Sequence, residues 1–177
     1  MKSGIKAIKL RDGDRVVNAE ITDGSKEIML FSNSGKSIRF KESDARPMGR
    51  VSQGVRGMRI DKDQKIISLV VLEEGNILLA TENGYGKQTL TDEFSIQKRG
   101  GKGVIAIQTS DRNGNLIGAK QVSTGDEVMF ISTSGNLIRT RTDDISIIGR
   151  NTQGVRIIKL SGEEKVVSAI KIDDNLI

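Results

Sequence analysis

The alternation of apolar and polar positions repeats along this chain with a period near 50 residues. Four apolar runs open on glycine: "GIKAIKL" at Gly4, "GVRGMRI" at Gly54, "GVIAIQT" at Gly103 and "GVRIIKL" at Gly154, at spacings of 50, 49 and 51 residues. A second run follows each one: "RVVNAEI" from Arg15, "KIISLVVL" from Lys65, "LIGAKQV" from Leu116 and "KVVSAIKI" from Lys165. Three of the units continue with a pair of runs joined by Ser-Gly or Asn-Gly: "EIMLFSNSGKSIRF" from Glu27, "NILLATENGYGKQTL" from Asn76 and "EVMFISTSGNLIRT" from Glu127. Glycine there supplies the positive φ that a tight hairpin turn demands. Each full unit therefore predicts four short strands, and the fourth unit stops after 24 residues.

Val, Ile and Leu alternating with polar residues, glycine-marked turns and a lone proline, Pro47, favour antiparallel sheet over helix. The expected fold class is all-β, a propeller-like array of four-stranded antiparallel blades. It forms one domain fragment with repeat units 4–53, 54–102, 103–153 and a partial 154–177. Closed propellers have about four to eight blades, so three and a half describe an open arc or a piece of a longer chain. The half unit either pairs back to complete a neighbouring blade or leaves a strand edge free to recruit another chain.

Composition narrows the chemistry. At 177 residues, 36% hydrophobic and 29% charged, the chain is long enough for a sizeable core and too apolar for disorder. No run approaches a membrane span of roughly 18 apolar residues, and "MKSGIKAIKL" lacks a signal-peptide core, which predicts a cytoplasmic protein. Cysteine and histidine are absent. That removes thiolate and most zinc sites, thiol nucleophiles, imidazole-dependent triads and the commonest general base. No catalytic or metal-binding residue is expected.

Charge placement points to a partner. The segments from the last strand of one unit into the next, 36–56, 87–102 and 136–156, hold 6, 4 and 4 cations against 2 acids each, a net of +8 within a chain of +5. Equivalent segments of stacked repeats lie on the same side of an array, so these cations should line one rim. A repeating basic rim is the footprint of nucleic acid. The densest stretch is "QKRGGKG", Gln97 to Gly103. Lys98, Arg99 and Lys102 suit phosphate oxygens, and Gly100, Gly101 and Gly103 let backbone N–H groups come close. Only five aromatic residues occur, and none interleaves with the basic loops, which favours duplex held by its backbone over stacked single strands.

Other short motifs read as structure. "SGKS" at Ser34 to Ser37 lacks the leading glycine of a phosphate loop, since Leu30 stands there, and fits a hairpin turn. "DRNGN" from Asp111 has Leu116 where a calcium loop needs glycine, and fits a strand-linking turn. Tyr85, the only tyrosine, sits in the turn "NGYG" and is assigned to structure. The acid pairs Glu73 with Glu74 and Asp143 with Asp144 point to opposite faces of a strand and form no dyad.

"QKRGGKG" is similar to the QRRGGKG box of the C-terminal domain of the bacterial DNA gyrase A subunit, with Lys98 in place of the family's arginine. "EIMLFSNSGKSIRFKESDARPMG", "GVRGMRI", "ATENGYGKQT" and "ISIIGRNTQGV" resemble the later blades of the same domain, so the likeness covers nearly the whole chain. The resemblance implies a β-pinwheel, six-bladed when intact, whose basic perimeter wraps duplex DNA and supports ATP-driven negative supercoiling. It implies the rest of the gyrase A polypeptide, together with the B subunit, as partners in an A2B2 enzyme, no membrane, and a nucleoid-associated cytoplasmic location. ATP and Mg2+ act elsewhere in that enzyme, and no cofactor is expected in this fragment. In the family the box lies in the first blade, whereas more than one unit precedes it here. The chain therefore resembles the last three blades, with "QKRGGKG" one DNA-contacting loop among several and the principal box upstream.

The DNA-binding residues expected are Lys36, Arg39, Lys41, Arg46, Arg50, Lys87, Gln97, Lys98, Arg99, Gly100, Gly101, Lys102, Gly103, Arg139, Arg141 and Arg150. Two alternatives stay open: the C-terminal domain of the topoisomerase IV A subunit, and a propeller whose rim binds other proteins.

Overall fold

The structure is a computed structural model that describes residues 4–172; residues 1–3 and the end of the partial unit, 173–177, lie outside the described residues. Its strands are β1 (Glu27–Ser32), β2 (Lys36–Lys41), β3 (Ile66–Val71), β4 (Asn76–Thr81), β5 (Tyr85–Leu90), β6 (Val104–Ile105), β7 (Leu116–Val122), β8 (Glu127–Ser132), β9 (Leu137–Arg141), β10 (Val155–Arg156) and β11 (Val166–Ile172). All strand pairs in the sheets are antiparallel. Gly35, Gly84 and Gly135 close the three hairpins at φ 78°, 78° and 80°. Each donates its N–H back to the turn's first carbonyl, that of Ser32, Thr81 or Ser132. These turns fit a three-residue hairpin loop with glycine last.

Strand order departs from the one-unit-per-blade expectation. The sheets run β3-β1-β2-β6, β10-β5-β4-β7 and β11-β8-β9. Each takes its hairpin from one unit and its inner strand from the next, and the two four-stranded sheets take their outer edge from the unit after that. The partial unit pairs back: β10 completes the second sheet and β11 joins the third. By the same rule the runs Gly4–Leu10, Arg15–Ile21 and Gly54–Ile60 match hairpins that this chain does not contain, and none of them is a strand. The expected strands "GIKAIKL" and "RVVNAEI" are thus irregular chain, the first with a bend at Ala7–Ile8, and Ile5 and Ile21 are 73% and 100% exposed. An edge needs a partner before a strand can be made.

The inner strands β3, β7 and β11 pack side by side, each joined to its hairpin through a bulge at the same place, beside Ser32, Thr81 or Ser132. Apolar faces fill the gaps between sheets. Met29, Phe31, Ile77, Leu79 and Phe94 lie between the first two sheets, and Leu78, Val128, Phe130 and Ile145 between the second and third. Alternate residues of β4 thus feed opposite cores, and this central strand is apolar on both faces. Each fully buried aliphatic there contributes roughly 1.5–3 kcal/mol.

Candidate nucleic-acid interface

After every hairpin the chain makes a 3-10 turn, Glu42–Asp44, Thr91–Glu93 or Thr142–Asp144. Two of these turns then lead into a loop that runs back along the preceding sheet. Ile96 lies parallel to Arg39 and Ile147 to Gln88, and the loops continue into the edge strands β6 and β10. One backbone link recurs at all three loops: Lys9 N–H to Ser52 O (3.0 Å), Arg59 N–H to Gly101 O (2.8 Å) and Gln108 N–H to Thr152 O (2.8 Å). The basic loops therefore hold equivalent places on the edge away from the packed inner strands.

"QKRGGKG" lies against the first sheet. Gln97 N–H donates to Arg39 O at 2.7 Å and Gly100 N–H to Gly57 O at 2.7 Å, and Gly101 N–H points at Lys98 O. The N–H groups of Gly100 and Gly101, expected to face a ligand, are thus already used within the protein. Gly103 has φ 71°, and a Cβ there would sit 2.2 Å from Ser37 O, so glycine is needed to admit β6 to the edge of β2. Gln97 Nε2 is buried without a hydrogen-bond partner among the described residues.

The cations divide by what already holds them. Lys87 is fully buried rather than on the perimeter. Its Nζ donates to Gly149 O and Arg150 O at 2.6 Å and to Thr152 Oγ1 at 3.1 Å, and desolvation pulls its pKa down from 10.5 to about 8. A ligand cannot reach it. Arg39 pairs with Glu27 at 2.6 Å and donates to Thr91 O (3.0 Å) and Phe94 O (2.9 Å), which clamps the next unit's 3-10 turn. Gln88 does the same one sheet on, to Thr142 O (2.7 Å) and Ile145 O (3.0 Å). Arg139, the third of the series, is bound to Glu127.

Arg99 and Arg150 staple the loops. Arg99 donates to Asp44 O (2.8 Å) and Arg56 O (2.6 Å), and Arg150 to Ile105 O (2.9 Å), the carbonyl equivalent to that of Arg56. Lys41, Arg46, Arg50, Lys98 and Lys102 are exposed and make no ion pair among the described residues. Arg141 is exposed, with Asp143 3.5 Å away, and Lys36 is half-buried on β2. Two arginines outside the expected DNA-binding residues, Arg112 and Arg156, converge on Tyr85. Arg156 closes the basic segment 136–156, and the strand register sets it opposite Tyr85.

Among the described residues there is no cluster of acids that could hold a metal and no helix long and apolar enough to cross a membrane. Residues 2–23, 26–73, 75–123 and 126–173 match the model of the DNA gyrase C-terminal domain, described as a β-propeller. The chain belongs to the DNA gyrase C-terminal domain family. It is 52% identical over 173 residues to the DNA gyrase A subunit of Pseudomonas aeruginosa, covering 97% of this chain and 19% of that protein. Against the DNA gyrase A subunit of Escherichia coli the identity is 47% over 171 residues, covering 96% and 20%. The chain thus spans about one fifth of the length of the curated relatives it matches. A solved DNA gyrase A C-terminal domain superposes with TM-score 0.89 at 29% identity, covering 96% of this chain and 58% of that one. The C-terminal domain of a DNA topoisomerase IV gives 0.88 at 25%, covering 94% and 53%. The fold is the β-pinwheel of the gyrase family, and the exchange of strands between units is how this chain builds it.

Proposed function

We propose that this domain of the gyrase A subunit binds duplex DNA without sequence preference and wraps it along the loop-bearing edge. In this reading it supports ATP-dependent negative supercoiling by the A2B2 enzyme in the bacterial cytoplasm and performs no catalytic step itself. The observation that carries the reading is the set of exposed cations Arg46, Arg50, Lys98 and Lys102, without an ion pair among the described residues, on equivalent loops of two successive units, with Lys41 and Arg141 exposed at the ends of β2 and β9. Successive loops along one edge match a polyanion of repeating charge, and side chains that neutralise phosphates release counterions. Arg99 and Arg150 hold the loops in shape, and their remaining N–H groups add donors at the same edge.

The cations contact phosphate and sugar, so they set position and carry no sequence information. Gyrase rather than topoisomerase IV is the reading favoured by the sequence relatives, which are gyrase A subunits at about half identity. A salt series on a labelled duplex tests the proposal. Six phosphate contacts predict a logarithmic slope near −5 and a loss on the order of 10³ in affinity between 50 and 200 mM salt. A shallow slope, or no binding at 50 mM, overturns it.

A further inference from the structure

Tyr85 is the only tyrosine, and it is buried at the start of β5. Two exposed arginines meet at its hydroxyl: Arg112 Nε donates to Oη at 3.3 Å and Arg156 Nη2 at 3.0 Å. Both guanidinium carbons also lie over the ring, at 5.0 and 5.4 Å from its centroid. Neither arginine forms an ion pair among the described residues. Two cations converging on one neutral oxygen repel each other, and an anion between them would relieve this. Planar guanidinium forks suit phosphate in particular.

The pair is held in place. Arg156 lies on β10, two residues beyond the glycine that ends the Arg150 loop. Arg112 belongs to the "DRNGN" turn, whose Asn113 is fully buried. Asn113 Nδ2 donates to Gln108 O (2.7 Å) and to Gln153 O (3.1 Å) of that same loop, while Oδ1 accepts from Ser110 N–H at 2.8 Å. The turn is thereby tied to the basic edge. The arrangement is peculiar to the middle sheet. In the first sheet the equivalent strand pair is Lys36 with Ile105.

We infer that Arg112 and Arg156, stacked on Tyr85, clasp one phosphodiester of the bound duplex, with Asn113 as the positioning residue. The inference rests on the DNA-binding reading and adds a contact that joins the end of one basic segment, Arg156, to the separate turn of Arg112. Because Tyr85 is the sole tyrosine, ring-labelled 13C-tyrosine gives one unambiguous probe of the site. The intact chain is titrated with a 25-base-pair duplex while binding is followed independently by fluorescence anisotropy. The Tyr85 ring signals should shift along the anisotropy curve. Arg112→Ala/Arg156→Ala should reduce the salt slope by about 0.9 and low-salt affinity by roughly tenfold. Tyr85→Phe, which keeps both cations, should retain most of the affinity. Duplex binding with an unmoved Tyr85 signal and an unchanged double variant overturns the clasp and leaves the DNA-binding reading intact. No duplex binding by the unmodified chain overturns both.

Discussion

Lys87→Met should change how stability depends on pH. In the folded chain the ammonium is enclosed where the equivalent positions of the flanking sheets carry Ile38 and Ile138, and burial lowers its pKa to about 8. The unfolded chain protonates the same group near 10.5. Between those values the unfolded state binds more protons, so stability rises with pH, by about 1.4 kcal/mol per unit for one group. Across the whole gap the gain is about 3 kcal/mol; below the folded pKa the cost of burying the charge is fully present. Methionine has nothing to titrate, so the difference in unfolding free energy between parent and variant should move in the parent's favour by about 3 kcal/mol from pH 7.5 to 10.5. Groups common to both proteins cancel in that difference. At neutral pH its sign is a contest, because methionine removes a buried charge but strands the carbonyl of Arg150, at about 1–3 kcal/mol, while Gly149 O keeps the Thr152 hydroxyl. The slope does not depend on that contest. Urea unfolding followed by circular dichroism at several pH values reads it. A parent-minus-variant difference flat to within about 0.5 kcal/mol over that range refutes the reasoning, since it would mean that Lys87 titrates alike in both states.

Three further outcomes are expected. Gly103→Ala should lower stability by more than about 2 kcal/mol in a thermal melt, because its Cβ would meet Ser37 O at 2.2 Å, whereas Gly100→Ala, with Arg56 O at 3.4 Å, should cost about 1 kcal/mol. Arg39→Ala should cost about 2–3 kcal/mol by urea unfolding and Arg39→Gln much less, since Gln88 performs the same clamp. Arg139→Ala, which loses only a pair at the exposed end sheet, should cost under about 1 kcal/mol. Lys98→Ala/Lys102→Ala should leave the melting temperature unchanged, and should reduce the salt slope of duplex binding by about 1.8.

The hairpins were legible because their signal is local: apolar alternation on both sides of a glycine at positive φ. Their assembly was not. Sequence repeats make every second run look equally suited to every hairpin, so nothing local tells that β3 pairs with β1 across a unit boundary. The lack of strands over Gly4–Ile21 follows from that exchange and was equally hidden. Among the site residues, a cation on an edge loop, such as Lys98 or Lys102, could be placed from the repeat alone. A cation on a strand could not, because its exposure depends on which face the neighbouring loop covers. Lys87 shows this most plainly, although its alignment with Ile38 and Ile138 was a signal within the sequence that the position faces inward. Arg39 carries the same lesson in milder form: a polar position can repeat because it clamps backbone carbonyls, not because it meets a ligand.

Net charge alone attracts DNA, so the claim that needs testing is location. Arg50→Gln/Lys98→Gln/Lys102→Gln removes three exposed cations from the loop-bearing edge, and Lys62→Gln/Lys65→Gln/Lys159→Gln removes three exposed cations from elsewhere. Both variants have the same net charge. Duplex affinity measured across a salt series should show the edge variant losing about 2.7 from the logarithmic slope and the other variant close to the parent. Equal losses in the two variants would contradict a defined DNA-binding edge.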